Sequence, residues 1–149
     1  TVAPTASGTL FMMAIYLVAG QLVSNIGISS ATTAAGTPTN YFFALYGANR
    51  SLKAVSANQT TTAWAANTYK VLAMTTPYRV PTSGLYYIGF MMTATTIITT
   101  KGNTAKTGGQ LASTVPILHG ASSTGLTTAM PDPAAAITGG LVTMYAAVS

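Results

Sequence analysis

The chain has 149 residues, of which 49% are hydrophobic and only 5% are charged, against roughly 25% charged residues in an ordinary soluble domain. No charged side chain precedes position 50, and Asp132 is the only carboxylate side chain. Catalytic acid/base pairs and carboxylate metal sites need several ionisable groups held together. The composition therefore favours a binding or structural protein over an enzyme. The length fits one domain, residues 1–149.

The formal net charge is +5, because six Lys and Arg residues stand against Asp132. A nucleic-acid-binding protein usually clusters its basic residues in a patch or on a helix face. Here they are spread over residues 50–106 without a run, so we expect no nucleic-acid partner. A basic protein of this kind is favoured in encounters with anionic surfaces such as cell envelopes.

Residues 10–28 form an uncharged apolar stretch that is long enough for a membrane helix. Gly, Gln, Ser and Asn interrupt it, and no Lys or Arg flanks it, so we expect neither membrane insertion nor a targeting signal. The absence of cysteine excludes disulfides and thiolate metal sites. Because the sequence begins at Thr1, we expect a processed chain or a piece of a longer one.

Runs of β-branched and aromatic residues, separated by Gly, Pro, Asn and Ser clusters, predict an all-β chain. Residues 10–18 and 22–28 are predicted as two strands joined as a hairpin through residues 19–21. Residues 41–46, YFFALY, are apolar at both alternating sets of positions. That pattern predicts a central strand that is covered on both faces or faces a neighbouring subunit.

The middle of the chain alternates between short strands and polar loops. Residues 51–57 are predicted as a shorter strand, residues 58–68 as a loop, and residues 69–74 as the next strand. Pro77 and Pro81 bracket a further short extended piece.

A turn at residues 82–84 leads into residues 85–94, which carry bulky side chains on both faces and are predicted as a second central strand. Residues 99–112, rich in Gly, Thr and Lys, are predicted as a long loop, and residues 141–148 as the final strand. About eight or nine strands at these spacings predict two packed antiparallel sheets, a β-sandwich with a jelly-roll-like arrangement.

Catalytic and metal sites lack the residues they need. His119 and Asp132 could join one of many serines, but no Gly-x-Ser-x-Gly sequence marks a nucleophile. A glycosidase needs two carboxyl groups, and one His with one Asp falls short of a zinc or calcium shell. We therefore expect no catalytic residue, metal or cofactor, a turn position for His119, and a core-filling role for the seven methionines.

The lone tryptophan, Trp64, lies within a polar loop and has two interpretations. It could fold back as an anchor for the loop, which we favour, or project as a stacking platform for a sugar. Its neighbours Asn67 and Tyr69 carry groups that can hydrogen-bond a saccharide. The candidate binding residues are therefore Trp64, Asn67 and Tyr69.

Several segments also carry a family resemblance. The sequences FALY at 43–46, TAWAANT at 62–68, TTPY at 75–78 and SGLYY at 83–87 resemble, in order and spacing, a domain of actinobacteriophage minor tail and related virion proteins. The late sequence PILHGASSTGLTT, residues 116–128, and the closing YAAVS, residues 145–149, are also similar, so the resemblance covers nearly the whole chain.

Members of that family commonly have an acidic residue after the Ala-Leu-Tyr element, where this chain has Gly47. This chain therefore has no carboxylate for the binding role that the acid would have there.

The resemblance implies a non-enzymatic β-sandwich on a virion, at a tail tip, a fibre end or the capsid surface. Its partners would be other virion proteins, copies of itself and a host envelope glycan. The expected function is host-surface attachment, through loops around Trp64 and residues 99–112. The main alternative is a capsid decoration or cement domain that only stabilises the particle. A third possibility, a carbohydrate-active enzyme, would require turnover of an envelope glycan, and we expect none.

Overall fold

A computed structural model describes residues 6–104, 116–139 and 142–149. Within these ranges the chain forms strands paired in antiparallel sheets and no helix, which confirms the predicted all-β class. The strands are β1 (Thr9–Leu17), β2 (Leu22–Ser29), β3 (Asn40–Gly47), β4 (Leu52–Val55), β5 (Tyr69–Arg79), β6 (Gly84–Thr93), β7 (Gly102–Thr104), β8 (His119–Ala121), β9 (Thr138–Gly139), β10 (Val142–Met144) and β11 (Ala146–Val148).

The long strands divide between two sheets. A six-stranded sheet has the order β4-β3-β6-β1-β8-β9, and a three-stranded sheet has the order β11-β2-β5. Strands β10 and β7 form a separate two-stranded ribbon. The two strands predicted to be central, β3 and β6, lie side by side inside the six-stranded sheet, so that prediction is confirmed.

Both faces of the six-stranded sheet are buried, which explains the bulky residues at alternating positions. On β3, Phe43 faces one hydrophobic cluster, whereas Phe42 faces another. Successive side chains of a strand point to opposite sides, so a strand that is apolar at every position needs a cover on each face. The chain itself supplies both covers.

The first cover is the three-stranded sheet, whose inward side chains share a core with β1, β3 and β6. Ile26 and Ile28 of β2 and Leu72 and Met74 of β5 belong to this core, which we call the inter-sheet core. Full burial of one such aliphatic side chain stabilises a protein by roughly 1.5–3 kcal/mol. Hydrogen bonds thus hold the strands together within each sheet, and a continuous apolar layer holds the two sheets together.

The second cover is irregular chain between β8 and β9. Met130, Ala134 and Ile137 pack against the opposite face of the six-stranded sheet. Tyr46 of β3 reaches this layer, and its hydroxyl donates a hydrogen bond to the carbonyl oxygen of Pro131 at 3.0 Å. A segment without regular structure therefore buries the second face and is attached to it by a side-chain hydrogen bond.

The predicted hairpin between the first two strands is wrong. Strand β1 pairs with β6 and β8, whereas β2 pairs with β5 and β11. Residues 18–21 therefore carry the chain from one sheet to the other. Sequence alone does not separate these cases, because a short Gly-containing connection suits a hairpin and a crossover between packed sheets equally well.

Three further expectations need correction. Residues 69–79 form one strand, β5, which contains Pro77, because the ladder to β2 has an irregularity opposite this region. The predicted final strand is divided into β10 and β11, which pair with different partners. His119 lies buried in β8 and not in a turn.

The predicted loop at residues 99–112 contains β7, and its residues 105–112 lie outside the described part of the chain. The predicted strand at residues 51–57 is shorter than expected, since β4 spans Leu52–Val55. The structure thus has more strands than the eight or nine expected because it includes several short ones. The methionines do fill the cores as predicted, for example Met12 and Met91.

Gly89 tests the packing between the central sheet and the second cover. A Cβ atom there would lie 2.9 Å from Cε2 of Tyr46 and 3.1 Å from Cδ1 of Leu10, and the Tyr46 ring is held by its bond to Pro131. Gly89→Ala is therefore expected to lower the free energy of unfolding by about 1–3 kcal/mol through overpacking.

The measurement is urea unfolding followed by far-ultraviolet circular dichroism, with Gly84→Ala as the matched control. A Cβ at Gly84 meets no atom within 4 Å, so that variant should be neutral or stabilised by up to about 1 kcal/mol. Equal stability of the two variants would contradict the proposed close packing at Gly89.

Candidate binding surface around Trp64 and Tyr69

The loop between β4 and β5 places Trp64 inside the inter-sheet core. Its side chain is only 1% exposed, and its ring centroid lies 5.7 Å from that of Tyr41, 5.5 Å from Phe43 and 5.8 Å from Phe90. Among the described residues its buried Nε1 has no hydrogen-bond partner, so packing holds the indole in place. The geometry favours the anchor interpretation over a sugar-stacking platform.

Lys70 closes the solvent side of this aromatic cluster. Its Nζ donates hydrogen bonds of 2.8 Å to the Tyr41 hydroxyl and to the carbonyl oxygen of Ala63. The same nitrogen lies 5.2 Å from the centre of the Tyr41 ring and 5.5 Å from that of Trp64, within cation–π range. Burial lowers the pKa of Lys70 and raises the pKa of Tyr41 to about 12.

Ser30 ties the other end of the loop to β2. Its buried hydroxyl donates to the Ala65 carbonyl oxygen at 2.6 Å and accepts a hydrogen bond from the Thr68 backbone N–H at 2.9 Å. The Trp64 carbonyl oxygen accepts a hydrogen bond from the Ala35 N–H at 3.0 Å. Backbone N–H and C=O groups of the loop that are not paired in a β-sheet thus form hydrogen bonds to a neighbouring segment, and these bonds fix the loop.

Asn67 has an exposed side chain and a left-handed backbone conformation, with φ of 54°. Asparagine tolerates this region better than most residues. Its backbone N–H donates to the carbonyl oxygen of Ala31 at 2.6 Å. Asn67 therefore forms part of the turn that directs the chain from the buried Trp64 into β5.

Tyr69 points the opposite way from Trp64. It begins β5 and is 59% exposed, and its ring covers Gly27 of β2 so closely that a Cβ atom at position 27 would clash with the phenol. The three predicted binding residues therefore do not converge on one ligand position. Trp64 supports the loop from within, whereas Asn67 and Tyr69 are accessible.

Tyr69 belongs to a broader exposed surface on the three-stranded sheet. Val71, two residues further along β5, is 49% exposed, and Tyr145, which directly precedes β11, is 61% exposed. Gly27 of the middle strand pairs with both Val71 and Ala147. We name this surface, composed of Tyr69, Val71, Tyr145, Gly27 and Ala147, the outer tyrosine face.

Val71 and Tyr145 are not among the binding residues predicted from the sequence. For Val71 a signal was present, because Tyr69, Val71 and Ala73 alternate with the buried Leu72 and Met74. For Tyr145 no signal was available, since its exposure depends on the change of pairing partner between β10 and β11.

Gly47 stands where the resembled family commonly has an acid. A Cβ atom at this position would lie 2.9 Å from Cε of Lys53 and 3.0 Å from Oδ1 of Asn49.

Among residues 6–104, 116–139 and 142–149, no three His, Cys, Asp or Glu side chains are grouped to hold a metal ion. The same ranges contain no helix long and apolar enough to cross a membrane.

Comparisons with known proteins identify no relative. A scan against protein-family models, a search of curated proteins and a search of solved structures each found no match. The virion resemblance therefore rests on the sequence motifs alone.

Truncation of Trp64 tests the anchor. Trp64→Ala is expected to lower the free energy of unfolding by about 3–5 kcal/mol, as for other large buried aromatic residues. Tyr69→Ala, five residues away but exposed, should change it by about 0.5 kcal/mol or less. Since Trp64 is the only tryptophan, unfolding is followed by far-ultraviolet circular dichroism; an unfolding midpoint unchanged in Trp64→Ala would exclude the anchor role.

Buried tyrosines predict a loss of stability at alkaline pH. Burial raises the pKa of Tyr41 from 10.0 to about 12, and burial together with the Asp132 carboxylate raises that of Tyr46. A folded-state pKa above the unfolded value means that the stabilisation is complete below pH 10 and is lost as pH rises towards 12. The lowered pKa of Lys70 makes the free energy of unfolding rise with pH. This rise is complete above pH 10.5, the pKa of Lys70 in the unfolded chain.

Between pH 10.5 and 12, the free energy of unfolding should therefore fall, and more gradually in Tyr41→Phe than in the unmodified chain. The measurement is urea unfolding at several pH values, with Tyr16→Phe, at a 67% exposed position, as the control. An identical slope in Tyr41→Phe and the unmodified chain would contradict the assigned role of Tyr41.

Proposed function

We propose that this chain is a structural domain of a bacteriophage virion, in a minor tail or fibre protein, and that it contributes to attachment to the host cell surface. The observation that carries the proposal is the outer tyrosine face, where two tyrosines more than half exposed flank an open sheet surface without a carboxylate. Exposed aromatic rings beside small side chains suit stacking on a saccharide of the envelope.

The support for a virion setting comes from the sequence motifs and from the surface chemistry. The net charge of +5 favours encounter with an anionic envelope. In the proposal the layered sheets form a β-sandwich of jelly-roll type, in which the three-stranded sheet presents the outer tyrosine face to solvent. Trp64 then acts indirectly, because it fixes the loop that leads into Tyr69.

An assembly module is the second candidate, and a specific observation favours it. The outer tyrosine face exposes Tyr69, Val71 and Tyr145, and within the described part of the chain β11 is an edge strand of its sheet, paired with β2 alone. Exposed edges and apolar patches are surfaces through which proteins associate. A decoration or cement domain would use the same face to contact another virion protein.

The proposal is tested by binding a fluorescent fusion of residues 1–149 to intact actinobacterial cells. We expect saturable binding that is reduced at least tenfold in Tyr69→Ser/Tyr145→Ser. The matched control is Tyr16→Ser, which removes an equally exposed tyrosine from β1 in the other sheet. That variant should bind as the unmodified chain does.

Two results would contradict host attachment through this face. One is the absence of saturable binding on every strain tested, combined with capture of the chain by a purified virion protein, which would favour the assembly module. The other is equal loss of binding in the Tyr16 control and the double variant. Circular dichroism of each variant establishes that it remains folded.

A further inference from the structure

A cleft lies beside the turn between β3 and β4, on the opposite side of the six-stranded sheet from the inter-sheet core. Its volume is about 260 Å³, roughly the share of liquid volume occupied by eight or nine waters. Its walls are mostly apolar and are formed by Ala48, Ile117, Ala136 and Ile137. Such a cleft has room for a compact organic molecule.

Among the described residues that line this cleft, Arg50 is the only cation. Arg50 is half-buried there, and the buried Tyr87 also lines the cleft. Burial raises the pKa of Tyr87, and the nearby Arg50 guanidinium offsets part of this rise. The Tyr87 hydroxyl donates to the Ile117 carbonyl oxygen at 3.0 Å, which fixes one wall of the cleft.

The position of the Arg50 side chain is set by the chain around it. Its backbone carbonyl accepts a hydrogen bond from the Ala134 N–H at 3.0 Å, and its Nε donates to the Ala134 carbonyl oxygen at 3.3 Å. Its backbone is in the left-handed region, with φ of 65°, a conformation that costs a non-glycine residue free energy. Among the described residues, no hydrogen bond involves the two terminal guanidinium nitrogens.

The chain offers Arg50 little opportunity for an internal ion pair. Asp132 is the only carboxylate side chain, and its Oδ1 accepts a hydrogen bond from the Leu52 N–H at 2.9 Å. A guanidinium beside apolar walls is stabilised most by a planar anion that accepts two parallel hydrogen bonds. The ligand chemistry that fits is therefore a carboxylate joined to a small apolar group.

We propose that the cleft between the β3–β4 turn and residues 116–137 is a binding site for a small carboxylate with a compact apolar body. The terminal guanidinium nitrogens of Arg50 bind the carboxylate, while Ile117 and Ile137 contact the apolar body. The site is separate from the outer tyrosine face, and it does not depend on the function proposed for that face.

The test is titration of the ¹⁵N-labelled chain with benzoate, followed by the amide chemical shifts of Ala48, Ile117 and Ala136. Benzyl alcohol is the neutral probe of similar shape, and glucuronate is the probe with a polar, sugar body. We expect saturable shifts with benzoate, and at least tenfold weaker binding of both other probes.

Three variants separate the site from general electrostatics. Arg50→Gly removes the cation and suits the left-handed backbone, so it should remain folded and bind benzoate at least tenfold more weakly. Ala136→Phe fills the cleft and should abolish binding while Arg50 is retained. Lys53→Gln removes one positive charge from an exposed position outside the cleft and should bind as the unmodified chain does.

Several results would overturn the proposal. They are shifts without saturation, saturable shifts confined to residues outside the cleft, or equal weakening in Arg50→Gly and Lys53→Gln. Binding of benzyl alcohol as tight as that of benzoate would exclude recognition of the carboxylate. Tighter binding of glucuronate than of benzoate would exclude a preference for ligands with an apolar body.

Discussion

Burial of both faces of the six-stranded sheet is the constraint on which the rest of this structure depends. Strands β3 and β6 carry large apolar side chains at nearly every position, so neither face can be left in water without a loss of roughly 1.5–3 kcal/mol for each such side chain. The three-stranded sheet and the Trp64 loop cover one face, and irregular chain between β8 and β9 covers the other. Both surface sites result from these covers: the outer tyrosine face is the solvent side of the first, and the Arg50 cleft lies at the margin of the second.

The scarcity of charge makes this arrangement possible and also defines the surface. Most of the chain that covers the apolar sheet has no charged side chain, and Asp132 in the second cover is exposed, so few charges need be buried, which would cost several kcal/mol each. The six basic residues then have a single carboxylate side chain to pair with. Lys70 instead bonds a tyrosine hydroxyl and a carbonyl oxygen, and Arg50 bonds a carbonyl oxygen. At these two positions, hydroxyl and backbone oxygens take the place that a carboxylate has in an ion pair.

Much of the fold could be predicted from the sequence, because alternation of side chains is a local property. The central position of β3 and β6 follows from bulky residues on both faces, and burial of Met12 and Met91 follows from their place within strands. Strand pairing is not local, so the sequence predicts a hairpin through residues 19–21 where the chain instead passes from one sheet to the other. The site was predictable only in part: the loop was identified through Trp64, but Tyr145 and Arg50 gain their positions from segments distant in sequence, as the hydrogen bond between Arg50 and Ala134 shows.

Hydrogen–deuterium exchange of the isolated chain, read by mass spectrometry at peptide resolution, tests most directly whether the chain itself covers both faces of its central sheet. The account predicts that amides of β3 and β6 exchange only through global unfolding, with a free energy equal to that from urea unfolding and independent of protein concentration. Fast exchange of β3 and β6 in dilute protein, with protection that appears only as the chain associates, would contradict it, because a neighbouring subunit would then be the missing cover.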